Sequence, residues 1–204
     1  MVAKALTLIG SGKARPFRNL WLLEELGVSF DHVPVLPHSA DAKAHNPFGK
    51  IPALKDDDFV LYESAAINTY LGDKFGKFVP KAGTRQRGKY DQLVLTVMTE
   101  LDASGLWVHR KHESLKMVFG AIPEAVAAAK ANATKSIAVL ADEVTPGGYL
   151  LDEFSAADIL FVHCLDWAQA IGWSADTWEA NETLRDYVER CRARDAYSRA
   201  KARS

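Results

Sequence analysis

The sequence predicts an α/β domain followed by an all-helical one. Up to about residue 80, short β-like runs alternate with helical patterns; past Pro80 and Gly83 the β signal ends and long amphipathic spacings take over. With 204 residues the chain has room for two small domains. The expected boundaries are residues 1–79 and 85–204.

The first strand reads Ala5-Leu6-Thr7-Leu8-Ile9, broken by Gly10 and Ser11. A helix follows from Arg15 to Leu26, because Phe17, Leu20, Trp21, Leu23 and Leu26 recur at helical spacing; Pro16 suits its first turn and Gly27 its end. Ser29 to Val35 reads as a second strand, and a polar, Pro-containing connection comes next. Ala53-Leu54-Lys55 and Phe59-Val60-Leu61 flank an Asp56-Asp57-Asp58 turn, which predicts a hairpin with a solvated tip. Glu63 then opens a helix with Ile67, Tyr70, Leu71 and Phe75 on one face.

In the second part, Tyr90, Leu93, Val94, Val97 and Leu101 mark a long amphipathic helix. Pro123 to Val144 forms another, facing inward with Val126, Ala129, Ala133, Ile137, Leu140 and Val144. Pro146-Gly147-Gly148 closes it. Ser155 and Asp158 form a capping box for a helix from Ala156 to Ile171, apolar almost all round and so expected at the centre of its domain. A last segment, Glu182 to Arg194, carries charge on its outer face.

Composition excludes several classes. Twenty-five basic against 26 acidic residues give a net charge of −1, and no stretch concentrates cations beside exposed aromatics, which argues against a nucleic-acid binder. Cys164 and Cys191 lie far apart without metal-ligand spacing, so neither a disulfide scaffold nor a structural metal is expected, and a reducing, cytoplasmic setting fits. The first residues lack the order of a signal peptide, and no run approaches the roughly 18 apolar residues that span a bilayer. No membrane partner is expected.

Three motifs fail on spacing. Gly10-Ser11-Gly12-Lys13 is followed by Ala14 where a Walker loop needs Ser or Thr, and by Arg15 where a dinucleotide loop needs a small residue. Asp56-Asp57-Asp58 lacks the calcium-loop spacing. His109 and His112 are separated by Arg110 and Lys111, which would repel a metal, so that turn reads as exposed and basic.

The strongest local signal is Asn46-Pro47-Phe48-Gly49-Lys50-Ile51-Pro52-Ala53-Leu54, followed by Glu63-Ser64 at a helix start. This pair of motifs resembles the glutathione transferase family, and Trp21 to Gly27 and Ser155 to Asp158 match family landmarks too. The resemblance covers the whole chain. It implies a thioredoxin-like βαβαββα first domain that binds glutathione, an all-helical second domain, and a two-fold homodimer. It also implies a cis bond before Pro52, with the backbone of Ile51 pairing with the cysteinyl unit. Glu63 would face the γ-glutamyl ammonium while Ser64 and the first helix amides take its carboxylate. His38, Lys50 and His45 are available for the glycine carboxylate, Lys50 standing nearest Ile51.

The thiol-activating group departs from the pattern. Counting back from Arg18, the serine-type hydroxyl falls on Ala14 or Lys13, and neither supplies one; no Tyr or Cys precedes Tyr62. Ser11 is the nearest hydroxyl. Arg15 and Arg18, read in the first helical turn, offer an electrostatic route by favouring a thiolate, while Glu24 and Glu25 sit in the last turn against the dipole. An acceptor pocket for a small-molecule electrophile is expected over Met98, Leu106, Trp107 and Arg110. The implied activity is transfer of glutathione to an electrophilic carbon, a detoxification reaction with no metal. A non-catalytic ligand carrier and a glutathione-dependent disulfide or peroxide reductase are the alternatives.

Overall fold

The computed structural model describes residues 6–175 and 177–204; Ala5, read as the first strand residue, lies outside them. The chain divides into two compact units, Met1–Val79 with Arg192–Ser204, and Pro80–Cys191.

The first unit runs β1 (Leu6–Ile9), α1 (Phe17–Leu26), β2 (Phe30–Val33), α2 (Ala40–His45), β3 (Ala53–Asp56), β4 (Phe59–Tyr62) and α3 (Ser64–Phe75). This is the βαβαββα order that the resemblance implies. Its sheet is ordered β2-β1-β3-β4, with β1 parallel to β2 and antiparallel to β3. Leu6, Leu8 and Ile9 are buried, as a central strand covered on both faces requires. The polar connection between β2 and β3 contains α2, as the βαβαββα order requires. Ser39 caps it by accepting from the Ala42 amide at 3.2 Å. Asp41 in its first turn and Lys43 and His45 in its last complement the helix dipole.

Helix α1 starts two residues later than the sequence suggests. Pro16 is its cap residue and Arg15 precedes it, so Arg15 is not a helical residue. Gly27 ends the helix with φ 65° and donates to the Leu23 carbonyl at 3.1 Å. The hairpin tip also differs from expectation. Asp56 is the last residue of β3 and buried; the Tyr70 hydroxyl donates to it at 2.5 Å and Lys74 pairs with it. Only Asp57 and Asp58 form the turn, Asp57 at φ 57°, a conformation Asp tolerates.

The first unit also contains a helix the sequence reading lacks, α10 (Asp195–Ala202). Residues 192–204 therefore join the first unit, a different division at the C-terminal end from the expected 85–204. The physical reason lies on α1. Tyr197 packs edge-on to Trp21 at 4.8 Å and to Phe17 at 5.5 Å. Arg194 forks onto Glu25 at 2.6 and 2.8 Å, while Arg199 and Arg203 reach Glu24 at 2.9 and 2.7 Å. Three cations thus neutralise the two carboxylates that oppose the α1 dipole.

The second unit contains α4 (Arg85–Thr96), a π-helical stretch Val97–Leu106, α5 (Trp107–His109), a second π-helical stretch Arg110–Ser114, α6 (Lys116–Phe119), α7 (Pro123–Ala141), α8 (Ala156–Ala170) and α9 (Glu182–Arg192). Tyr90, Leu93, Val94, Val97 and Leu101 are buried in one stripe that runs through the change of pitch. Helix α8 is the centre: Ala157, Ile159, Leu160, Phe161, Val162, Cys164 and Leu165 are fully buried. Its expected capping box is present. Asp158 also accepts from the Leu150 amide at 2.9 Å and the Tyr187 hydroxyl at 2.8 Å. Burial raises the Asp158 pKa, and these bonds to its charged form oppose the rise. His109, expected in an exposed turn, is buried with its ring edge-on to Trp173 at 4.9 Å.

Candidate functional site

Three pieces of the first unit meet because of Gly10, at the end of β1. A Cβ there would stand 2.7 Å from Ile51 Cβ and 2.8 Å from Pro16 Cγ, and its φ of 126° favours glycine. Glycine therefore lets the end of β1, the start of α1 and the loop before β3 close on one another. The motif dismissed as a nucleotide loop owes its first glycine to this packing.

Within that convergence, the Ile51-Pro52 bond is cis, with Ile51 half-buried and Pro52 buried. Ser11 follows Gly10; its amide donates to the Val35 carbonyl at 2.9 Å and its hydroxyl accepts from the Lys13 amide at 3.4 Å. Ala14 and Arg15 occupy the turn before α1, both half-buried.

The loop before Ile51 is built by Asn46. Its side chain accepts from the Phe48 amide at 3.0 Å and donates to the Lys50 carbonyl at 3.1 Å. Gly49 turns at φ 64° and its carbonyl accepts from the His38 amide at 2.6 Å. His38 and Lys50 are thus brought together on neighbouring loops, both exposed, the Lys50 ammonium 5.8 Å from the Phe48 ring centre. His45 instead turns back to the Asp41 carbonyl at 2.8 Å.

Helix α3 contributes its N-terminus. Glu63, exposed, holds φ 73° and ψ 114°, a costly conformation for a side chain with a Cβ. Ser64 is buried and opens the helix. The Arg18 guanidinium donates to the Ser64 hydroxyl oxygen at 3.2 Å, and Arg18 is fully buried. Asn19 donates to the Ser64 carbonyl at 2.9 Å and to the Asn68 side chain at 2.7 Å; Asn68 donates to the Arg18 carbonyl at 3.3 Å. This buried polar knot fastens α1 to the first turn of α3. A serine hydroxyl has one hydrogen to give and two lone pairs, so Ser64 can accept from Arg18 and still donate outward.

The sequence reading passed over Asn19 and Asn68. Their signal was available: each is an amide side chain beside core residues, next to Leu20 and Ile67 respectively. At the far end of α3, Tyr70 and Lys74 fasten the helix to Asp56. The bond to Asp56 and burial push the Tyr70 hydroxyl pKa up, and the same carboxylate raises that of Lys74 against its own burial.

Met98, Trp107 and Arg110 share one helical run of the second unit, the first two half-buried and Arg110 exposed; Leu106, expected beside them, is fully buried. Among the described residues, no group of three or more His, Cys, Asp or Glu side chains is arranged to hold a metal ion.

Comparison with known proteins gives this geometry a setting. Residues 15–74 match the model of the glutathione S-transferase N-terminal domain, and residues 123–190 that of the C-terminal domain. The chain belongs to the glutathione S-transferase family. Glutathione S-transferase 3 of Zea mays is 48% identical over 59 residues, 26% of this chain and 27% of that relative. The chain thus aligns with about a quarter of that relative's length. The structure of glutathione S-transferase III in its apo form overlays with a TM-score of 0.80 at 25% identity, covering 97% of this chain and 96% of that one. The β-etherase LigF of Sphingobium sp. strain SYK-6 has the same fold, with a TM-score of 0.87 at 22% identity over 98% of this chain and all of that one. The first domain is thioredoxin-like and the second mostly helical in this family fold.

Proposed function

We propose that the chain is a glutathione transferase, with Met1–Val79 and Arg192–Ser204 as its glutathione-binding unit and Pro80–Cys191 as its helical unit. The start of α3 carries this reading. Its free amides and the Ser64 hydroxyl suit a carboxylate, and the exposed Glu63 carboxylate suits an ammonium, so the pair suits the α-amino-acid end of the γ-glutamyl unit. The backbone of Ile51 would pair with the cysteinyl unit, with Pro52 shaping the loop and Lys50 and His38 meeting the glycine carboxylate.

Bound there, glutathione supplies a thiolate that attacks an electrophilic carbon. The chain's part is to hold the tripeptide and favour the thiolate, through the Ser11 hydroxyl and the Arg15 charge. Lowering a thiol pKa from about 8.5 to about 6.5 takes roughly 2.7 kcal/mol of differential interaction. Met98, Trp107 and Arg110 would border the acceptor, offering an apolar wall and a cation. Family membership supports a two-fold homodimer acting in detoxification, and the buried thiols Cys164 and Cys191 suit the cytoplasm.

Ala14, standing where a hydroxyl was expected, favours a second reading as a ligand carrier that binds glutathione without conjugating it. Calorimetric titration with glutathione and a steady-state assay with a chloronitrobenzene acceptor separate the two. Saturable binding with conjugation above the uncatalysed rate is expected; binding without conjugation leaves the carrier, and no heat of binding removes both.

A further inference from the structure

The chain turns sharply after the second π-helical stretch and exposes an apolar tip. Met117 is 94% exposed, Val118 74%, Phe119 48% and Ile122 42%. Four large apolar side chains within six residues form a patch rather than scattered exposure.

Contacts within the chain fix the shape of this turn. Gly120 turns at φ 83° and donates to the Lys116 carbonyl at 2.9 Å, while the His112 ring donates from Nδ1 to the Gly120 carbonyl at 3.0 Å. The Lys111 ammonium lies 5.9 Å from the Trp107 ring centre and 6.0 Å from that of Phe119. Around this tip the charge is net basic: residues 110–124 carry Arg110, Lys111 and Lys116 against Glu113 and Glu124, in a chain whose net charge is −1. Glu113 pairs with Lys116 at 3.0 Å.

We propose that this tip docks on an anionic lipid surface. Met117, Val118, Phe119 and Ile122 enter the boundary of the acyl chains, and Lys111 and Lys116 meet the headgroup phosphates. A basic rim around an exposed apolar turn complements a layer that is anionic outside and apolar beneath. A second copy meeting the same face would bring an identical basic rim against this one. Among the described residues no helix is long and apolar enough to cross a membrane, so the contact is peripheral.

Co-sedimentation of the full chain with vesicles tests this, using phosphatidylcholine alone or with one third phosphatidylglycerol. The wild type partitions onto the anionic vesicles and releases as salt rises. Lys111→Gln with Lys116→Gln lowers that partition roughly thirtyfold, at about one kcal/mol per cation. Met117→Asp with Val118→Asp abolishes it. Both double variants keep the wild-type melting temperature, since they alter only exposed or half-buried side chains. Equal partition onto the two vesicle types, or full binding by the Met117→Asp, Val118→Asp variant, overturns the proposal. So does the absence of vesicle binding; if those two substitutions then split an oligomer in sedimentation equilibrium, the face belongs to a second copy.

Discussion

At Ser64 the hydroxyl accepts from Arg18 behind it and keeps its own hydrogen to donate. Glu63, beside it, carries backbone strain at φ 73°. These two facts separate binding from stability. Glu63→Ala is expected to weaken glutathione binding by about 1.5–3 kcal/mol, the worth of a hydrogen bond to a charged group. Glu63→Gly should lose the same affinity yet be more stable than the Ala variant by about 1–2 kcal/mol, because glycine relieves the conformation. Calorimetry and urea denaturation read the two effects. Ser11→Ala should raise the thiol pKa of bound glutathione in a thiolate absorbance titration, and an unchanged curve removes Ser11 from thiol activation. The cis Ile51-Pro52 bond and the helix start at Ser64 were legible in the sequence, since both lie in short motifs with local meaning. Asn19 and Asn68 were visible there as amides beside core residues, but a polar residue on an apolar face does not say which partner satisfies it.

Among the elements, α8 is held by a side chain that does more than cap it. Asp158 accepts from the Ser155 amide and hydroxyl at 2.8 and 3.0 Å, besides Leu150 and Tyr187. Asp158→Ala would leave four donors without that acceptor in the unit's core, so a loss of more than about 4 kcal/mol is expected in urea denaturation. The box itself was plain from the Ser155 and Asp158 spacing; the links to Leu150 and Tyr187 were not, since they cross sequence distance. Helix α2 is six residues long, too short for periodicity to reveal, and was implied by the resemblance alone. The π-helical stretches keep the apolar spacing of an α-helix closely enough to read as one. Helix α10 shows its purpose only against Glu24 and Glu25, some 170 residues away.

For the molecule as a whole, pH gives a sensitive handle on the second unit. Burial holds the His109 pKa below its ordinary 6.5, with Glu113 opposing more weakly. Well above pH 6.5 both folded and unfolded forms are neutral and the residue contributes no pH dependence. Below it the unfolded chain takes up a proton that the folded one refuses, so stability falls, by at most about 1.4 kcal/mol per pH unit, until the folded pKa is passed. His109→Phe should flatten this acid limb in denaturation series at pH 7.5 and 5.5; an unchanged slope would mean the ring is not the source.

The first unit is discontinuous along the chain. Its strands leave the ribosome early, but the arginines of α10 that neutralise Glu24 and Glu25 arrive some 170 residues after those carboxylates, on the order of ten seconds at ordinary translation speed. During that interval Phe17 and Trp21 wait for Tyr197 with part of their surface uncovered, and the nascent chain is there an attractive client for a chaperone.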